Sequence, residues 1–503
     1  MSRRDDALYE KERRVRIERQ RRKRRRKRLQ RICLVVLSLV VLAVSVPYIV
    51  RNVMAGSVFL DQNGYPVSSA LSEDGETAAI AEETASSGSS VNAGSDTALP
   101  KESVSEENDA AESAAGNTED SASEAGETAG TENIEDGGAL IDESGESTLN
   151  SVLQPWTYTG DAQMPDGDIV DMHADGYSYE RVRRDLYLLS QRYPDYMTVC
   201  QFGTSLDDRE LLDAVVGEEG ADRDVIIQYS MHAREHIVTN LGMKQLEELL
   251  KAMETGQYEG TSFREIFSKV RLHIIPMMNP DGVMISQEGI EAIRSEELKA
   301  GLMQVFENDK VLGKASPDIR EYATTWKANA RSVDLNRNFD TPGWTTEMGT
   351  QQPSCSRYPG TGPNSEPEVQ ALIALTDSIN CVGQVAYHCH GRLVYWDYGM
   401  ESSDPALYAK DQQLAELFAA LTATENLPGY TVVSTVDDGQ NPGGCSDYYM
   451  QVRHIPAVTV EVGNKFKADG TYNDAPLSID QIDGIYAENA QILPAVAKLF
   501  MTD

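Results

Sequence analysis

The chain has 503 residues, enough for one large domain with additions, and a formal charge of −35. That charge is divided: residues 1–31 hold 16 Arg or Lys against 5 Asp or Glu, about +11, which leaves the remainder near −46. Six cysteines, one of them in an apolar stretch, do not describe a disulfide scaffold, and no paired Cys-x-x-Cys points to thiolate zinc ligation.

In chain order, residues 32–50 read ICLVVLSLVVLAVSVPYIV, nineteen positions without a charge. A helix of that length spans about 28 Å, close to the hydrocarbon thickness of a bilayer, and predicts a transmembrane anchor. A secretory signal has a shorter apolar core behind a shorter basic region. The Arg and Lys residues at 21–28 hold the N-terminus in the cytoplasm by the positive-inside rule, which puts the rest of the chain outside the cell. Residues 1–31 therefore read as a cytoplasmic tail facing lipid, and no nucleic-acid partner is expected.

Residues 51–154 are expected to be an acidic, disordered linker. From 56 to 150 the only basic residue is Lys101, and no aromatic occurs between Pro66 and Gln154. Such a stretch cannot bury enough apolar surface to offset its ordering entropy, and its like charges keep it extended. It reads as a tether; too few prolines are present for a mucin-like stalk.

Structure is expected to resume near Trp156, so that residues 155–503 form one catalytic domain. Helical spacing of Leu and Tyr marks 179–193, and further helices are predicted at 241–253, 366–378, 407–424 and 482–500. Apolar runs at 225–229, 270–276, 382–387 and 457–462 predict strands. The alternation implies an α/β domain with a mixed, largely parallel central sheet flanked by helices. In such sheets functional groups gather past the carboxyl ends of the strands, where His232, Asn279-Pro-Asp-Gly282 and His388 fall.

His232 and Glu235 are three apart in a segment leaving a strand, a spacing that can bring an imidazole and a carboxylate to one cation. His236 does not complete a His-Glu-x-x-His helix with them. His388 ends an apolar strand and is the candidate third ligand, with His390 as its competitor two positions on. Three protein ligands on zinc leave a fourth position for water, which then needs a base, while the carbonyl oxyanion needs positive charge.

His232-Ala-Arg-Glu235, Asn279-Pro-Asp-Gly282, Asp334-Leu-Asn-Arg-Asn-Phe339, Ser365-Glu-Pro-Glu368, His388 and Glu461 together resemble the carboxypeptidase A-type zinc metallopeptidase family, from about residue 177 onward. The resemblance implies one Zn2+ held by His232, Glu235 and His388, with Glu461 promoting water attack and Asp334 holding the second nitrogen of His232. It further implies that Arg234, Asn336 and Arg337 receive substrate, Arg337 by a two-bond fork on a carboxylate. Thr459 and Glu461 share the face opposite Val458, Val460 and Val462, as a cleft-facing side requires.

The pattern departs from the digestive members at three places. Lys327 stands where they carry an oxyanion-steadying arginine, Gly439 aligns with their mobile-loop tyrosine, and Ser446 takes the substrate-pocket floor. Trp326-Lys-Ala-Asn-Ala-Arg and Tyr387-His-Cys-His-Gly instead look like the bacterial branch that cleaves γ-D-glutamyl–diaminopimelate bonds in cell-wall stem peptides. A membrane-anchored extracellular peptidase acting on peptidoglycan stem peptides is the expectation. A carboxypeptidase removing C-terminal amino acids, or a non-catalytic wall-binding domain, is the alternative.

Overall fold

A computed structural model describes residues 152–438, 442–464 and 476–502. The expected tail, the anchor at 32–50, most of the linker and Gly439 lie outside these residues. Among the described residues no helix is long and apolar enough to cross a membrane.

The sheet has nine strands. Its first four in the chain are β1 (Gln154–Pro155), β2 (Met197–Thr204), β3 (Glu210–Val216) and β4 (Arg223–Tyr229); β5 (Gln257–Tyr258) and β6 (Thr261–Ser262) form a separate small hairpin. There follow β7 (Val270–Ile275), β8 (Cys381–Cys389), β9 (Leu393–Trp396), β10 (Thr431–Ser434) and β11 (Ala457–Val462). The order across the sheet is β1-β2-β3-β7-β4-β8-β11-β9-β10. Its heart, β7-β4-β8-β11, is parallel; β1, β2 and β3 extend one side antiparallel, and β9 joins β11 antiparallel on the other. The four runs expected as strands are the four parallel ones. β1 pairs with β2 ahead of Trp156, so the sheet begins slightly before the expected boundary.

Helices cover both faces: α1 (Tyr179–Arg192), α2 (Ile237–Met253), α3 (Pro280–Glu288), α4 (Glu296–Val311), α5 (Pro367–Ser378), α6 (Pro405–Leu421), α7 (Cys445–Gln451), α8 (Ile482–Asn489) and α9 (Ile492–Phe500). Alternation along the strands decides what each face buries. Val225, Ile227 and Tyr229, Val385 and Tyr387, and Val458, Val460 and Val462 pack with α2, α8 and α9. Each fully buried valine of that set contributes about 1.5–3 kcal/mol. On the other face Ile226, Ile275 and Ala457 meet Leu372 and Leu375 of α5 and Tyr448 and Tyr449 of α7.

Local chemistry sets the ends of the elements. Ser178 caps α1 by accepting the Arg181 N–H at 3.3 Å, with Glu180 in the first turn and Arg192 in the last, both suited to the helix dipole. Asn279 caps α3 through the Gly282 N–H (3.0 Å), with Pro280 at the first helical position. The Asn279 amide also donates to the carbonyls of Met231 and Ala328, both at 3.1 Å. Gly282 lies so close to the Ala328 carbonyl that any Cβ would collide with it. The Asn-Pro-Asp-Gly motif is thus a clamp between two loops, not a chemical group.

The single helix expected at 482–500 is two helices, because Pro494 has no N–H and its ring excludes the Ala490 carbonyl that a continuous helix would present. α2 begins four residues ahead of its expected start, directly after a 3-10 turn over Ala233–Glu235. Thus Glu235 sits where β4's outgoing segment turns into a helix. The five described cysteines are free thiols.

Candidate metal centre and active site

Because β4, β7, β8 and β11 run parallel, their carboxyl ends meet at one edge of the sheet. Past the end of β4 come His232 and Glu235; near the end of β8 is His388; near the end of β11 is Glu461. The register pairs Glu461 directly with His388 and Val462 with Cys389. Val458, Val460 and Val462 are fully buried, while Thr459 and Glu461 on the opposite face are half-buried, as the alternation predicted.

Three donors converge at this edge. His232 Nδ1 is 3.0 Å from Glu235 Oε1, His388 Nδ1 is 3.0 Å from Glu235 Oε2, and the two Nδ1 atoms are 3.1 Å apart. His390 is not part of this cluster; it lies past the last residue of β8, where strand alternation no longer applies. The three ligating residues are buried. Burial alone would favour the neutral acid of Glu235, but His232 and Lys327 overcome it and hold the carboxyl well below its ordinary range. It is therefore an anion, as a metal ligand must be.

Behind the donors, His232 Nε2 meets Asp334 Oδ1 at 3.1 Å, which fixes the ring so that Nδ1 points into the cluster. Asp334 is itself oriented: its Oδ2 accepts the Arg357 N–H (2.9 Å) and its Oδ1 the Asn336 N–H (3.2 Å). Nearby positive charge, His232 before Arg337 and Lys327, keeps the Asp334 carboxyl far below its usual value despite burial. Glu235 has a further anchor in the Cys389 N–H, 3.2 Å from Oε2. Neither backbone donor, Arg357 nor Cys389, carries a sequence signal, since every residue but proline offers the same group.

The other expected site residues surround this core. Lys327 Nζ is 2.9 Å from Glu235 Oε1, and its side chain is 22% exposed, so the ammonium is at the rim of the cluster. Burial would lower its pKa, but Glu235 raises it above the ordinary lysine value and it is a fixed positive charge. Arg234 is half-buried on the same turn, its N–H bonded to the Trp326 carbonyl at 2.8 Å. Asn336 Oδ1 accepts the Cys445 N–H at 2.8 Å, and Arg337 Nη1 donates to the Asn336 carbonyl at 2.7 Å. The first of these bonds joins the 336–337 turn to the start of α7, and the second closes the turn on itself. Ser446, on α7, is 2% exposed and its hydroxyl already bonds Thr459 Oγ1 (2.9 Å) and Gln384 Oε1 (3.2 Å). Its burial leaves it almost no surface to offer a substrate. Asp447 beside it was not anticipated as a site residue; burial pushes its carboxyl up to about 6, while Arg337 pulls the other way.

The donor set fits zinc. Ligands at zinc's usual 2.0–2.2 Å in a tetrahedron lie about 3.3–3.6 Å from one another. The observed separations of 3.0–3.1 Å need open by only a few tenths of an ångström. A second acidic group, Asp168, Glu247 and Glu248, offers no comparable site, because Lys244 and Lys251 pair with it.

A family model described as zinc carboxypeptidase matches residues 182–501. The chain belongs to the zinc carboxypeptidase family. It is a hydrolytic metallopeptidase, and zinc is its metal. Among its relatives, a gamma-D-glutamyl-L-diamino acid endopeptidase of Lysinibacillus sphaericus is 29% identical over 316 residues, covering 62% of this chain and 70% of the relative. Human carboxypeptidase B2 is 25% identical over 328 residues, 62% of this chain and 68% of that one. The fold is shared with the crystal structure of thrombin activatable fibrinolysis inhibitor, at a TM-score of 0.50 and 19% identity, covering 66% of this chain and 77% of that one. Membership of the zinc carboxypeptidases sets aside the non-catalytic alternative.

Proposed function

We propose that this zinc carboxypeptidase homologue is a membrane-anchored extracellular enzyme that hydrolyses the γ-D-glutamyl–diaminopimelate bond of cell-wall stem peptides. The observation that carries the reading is the juxtaposition of three convergent ligand residues with a second carboxylate, Glu461, in register with His388. The endopeptidase relative supports the choice of bond.

In this reading His232, Glu235 and His388 hold Zn2+, which when bound supplies Lewis-acid activation of water and of the scissile carbonyl. Asp334 keeps His232 in the tautomer that presents Nδ1. Glu461 takes the proton from the attacking water and delivers it to the leaving amine, so that the amine departs neutral. Lys327 places positive charge where the oxyanion develops. Arg337 and Asn336, on one turn beside α7, hold a substrate carboxylate, and Arg234 flanks them. A stem peptide cleaved before diaminopimelate presents such a carboxylate. Ser446 shapes the pocket under the departing residue.

Residues 155–503 would act outside the cell, tethered through 51–154 to the anchor at 32–50, which suits a substrate fixed in the wall. The test is digestion of defined stem tripeptides and tetrapeptides by the full-length protein, read by mass spectrometry. Scission between the γ-glutamyl and diaminopimelyl residues is expected. Release of C-terminal amino acids from ordinary peptides, with stem peptides intact, would replace this reading with the simple carboxypeptidase one.

A further inference from the structure

The geometry points to Asn329 as a positioning residue: clamped by Glu366 and Glu368, it sets the 326–334 loop that presents Lys327 and Asp334 to the metal ligands. This rests on the metallopeptidase reading of the site and adds to it a residue that touches neither metal nor substrate.

Asn329 is fully buried, and its side chain is used to capacity. Its Nδ2 donates to Glu366 Oε2 at 2.7 Å and to Glu368 Oε2 at 3.3 Å. Its Oδ1 accepts the N–H groups of Arg331 and Val333, both at 3.1 Å. An amide has two donors and two acceptor lone pairs, and all four are engaged. The backbone of Asn329 closes the same turn: its carbonyl takes the Trp326 indole N–H and the Ser332 N–H, both at 3.1 Å, and its N–H reaches the Val333 carbonyl at 2.9 Å. The loop is wound around this one residue.

Both ends of the loop act on the metal centre. At the near end, the Trp326 and Lys327 carbonyls accept the N–H groups of Arg234 (2.8 Å) and Ala233 (3.2 Å), the two residues between His232 and Glu235. From there Lys327 reaches Glu235. At the far end Asp334 holds His232. A shift of the turn would move a ligand's orienting carboxylate and the site's lysine together.

The clamp is costly to build, and a turn needing only to be filled would not require it. Glu366 and Glu368 are both buried, side by side and close to Asp281. Burial, with Asp281 and then Glu366 adding to it, pushes the Glu368 carboxyl up to about 7. Arg331 meets Glu366 at 3.0 Å, and Glu368 Oε1 takes the Leu206 N–H at 3.1 Å. The amide has a single orientation, since the Glu366 carboxylate, paired with Arg331, calls for the NH2 and the two backbone N–H groups for the oxygen. The Ser-Glu-Pro-Glu motif thereby acquires a physical task.

Reversing the hydrogen bonds tests this. Asn329→Asp turns an oxygen onto the two acids. In the full-length protein we expect kcat to fall about 10- to 100-fold with KM nearly constant, and the zinc Kd, measured by chelator competition, to rise about tenfold. The double variant Asn329→Asp, Glu368→Gln restores a donor between the two positions and should recover zinc affinity and kcat to within about threefold of the parent. Should Asn329→Asp not fold, Glu368→Gln alone is read the same way. The Leu206 N–H holds its oxygen, so its NH2 is turned against that of Asn329, and the same rise in zinc Kd is expected. Parental zinc affinity and kcat in the folded variants, with only thermal stability lowered, would overturn the proposal, as would equal impairment of the single and double variants. A parent inactive on stem peptides would sink the substrate reading alone, because the zinc measurement decides this one independently.

Discussion

At the scale of single residues, the sharpest expectation concerns Glu461. Changing it to Gln keeps its size and its place opposite His388 but removes the proton acceptor. We expect kcat to drop about 10²- to 10⁴-fold with zinc content and KM close to the parent's. Retained turnover would show that another group moves the proton. His232, Glu235 and His388 were legible because each sits in a short motif at the end of an apolar run, where a parallel sheet delivers its side chains. Asp334 and Arg337 were legible only through the family resemblance, since an acid or a guanidinium in a loop has no distinctive spacing of its own. The burial of Ser446 was not legible, as serine is at home on a surface or in a core. The partners of Asn329 were hidden because the loop and the two glutamates meet only in three dimensions.

Among the elements, β3, β4 and β7 share a buried charged group remote from the catalytic edge. His273 on β7 lies between Asp213 Oδ2 at 2.6 Å and Asp224 Oδ1 at 3.1 Å. Burial opposes the imidazolium, but the two carboxylates, Asp213 foremost, overcome it and push its pKa up to about 9 from 6.5. A base held protonated in the folded state stabilises fully below its unfolded pKa and ceases to do so once pH passes the folded one. The difference in Tm between the parent and His273→Gln should therefore be largest below pH 6.5 while Asp213 and Asp224 remain ionised, and shrink from 6.5 to 9, leaving above that only the part that does not depend on the proton. A difference that is flat from pH 6 to 10 would refute this. β4, β7, β8 and β11 announced themselves as apolar runs because both their faces are covered. β2 and β3 did not: Met197–Thr204 and Glu210–Val216 interleave Thr, Gln, Gly, Glu and Asp, and only pairing in the sheet makes them strands. The break between α8 and α9 follows from Pro494, a signal that the expectation of one helix at 482–500 did not use.

For the whole molecule, the decisive measurement is removal of the metal. Dialysis against a chelator should abolish hydrolysis and lower Tm by several degrees, because a ligand at a hundredfold excess over its Kd adds about 2.7 kcal/mol to the folded state. One equivalent of Zn2+ should restore both; an unchanged Tm and rate would contradict the centre formed by His232, Glu235 and His388. The layered α/β plan was readable from the alternation of runs, whereas the antiparallel flanks were not, since strand direction leaves no mark in composition. The lateral coupling of β11 to β8 has one more consequence, for how such an enzyme can change. Proton carrier and ligand face each other on one rung of a single ladder, so inserting or deleting one residue between Ser446 and Val458 that slipped β11 by a step would turn a valine toward the substrate and bury the acid. The spacing between α7 and β11 is therefore constrained by the metal centre itself, whatever the loops around it do.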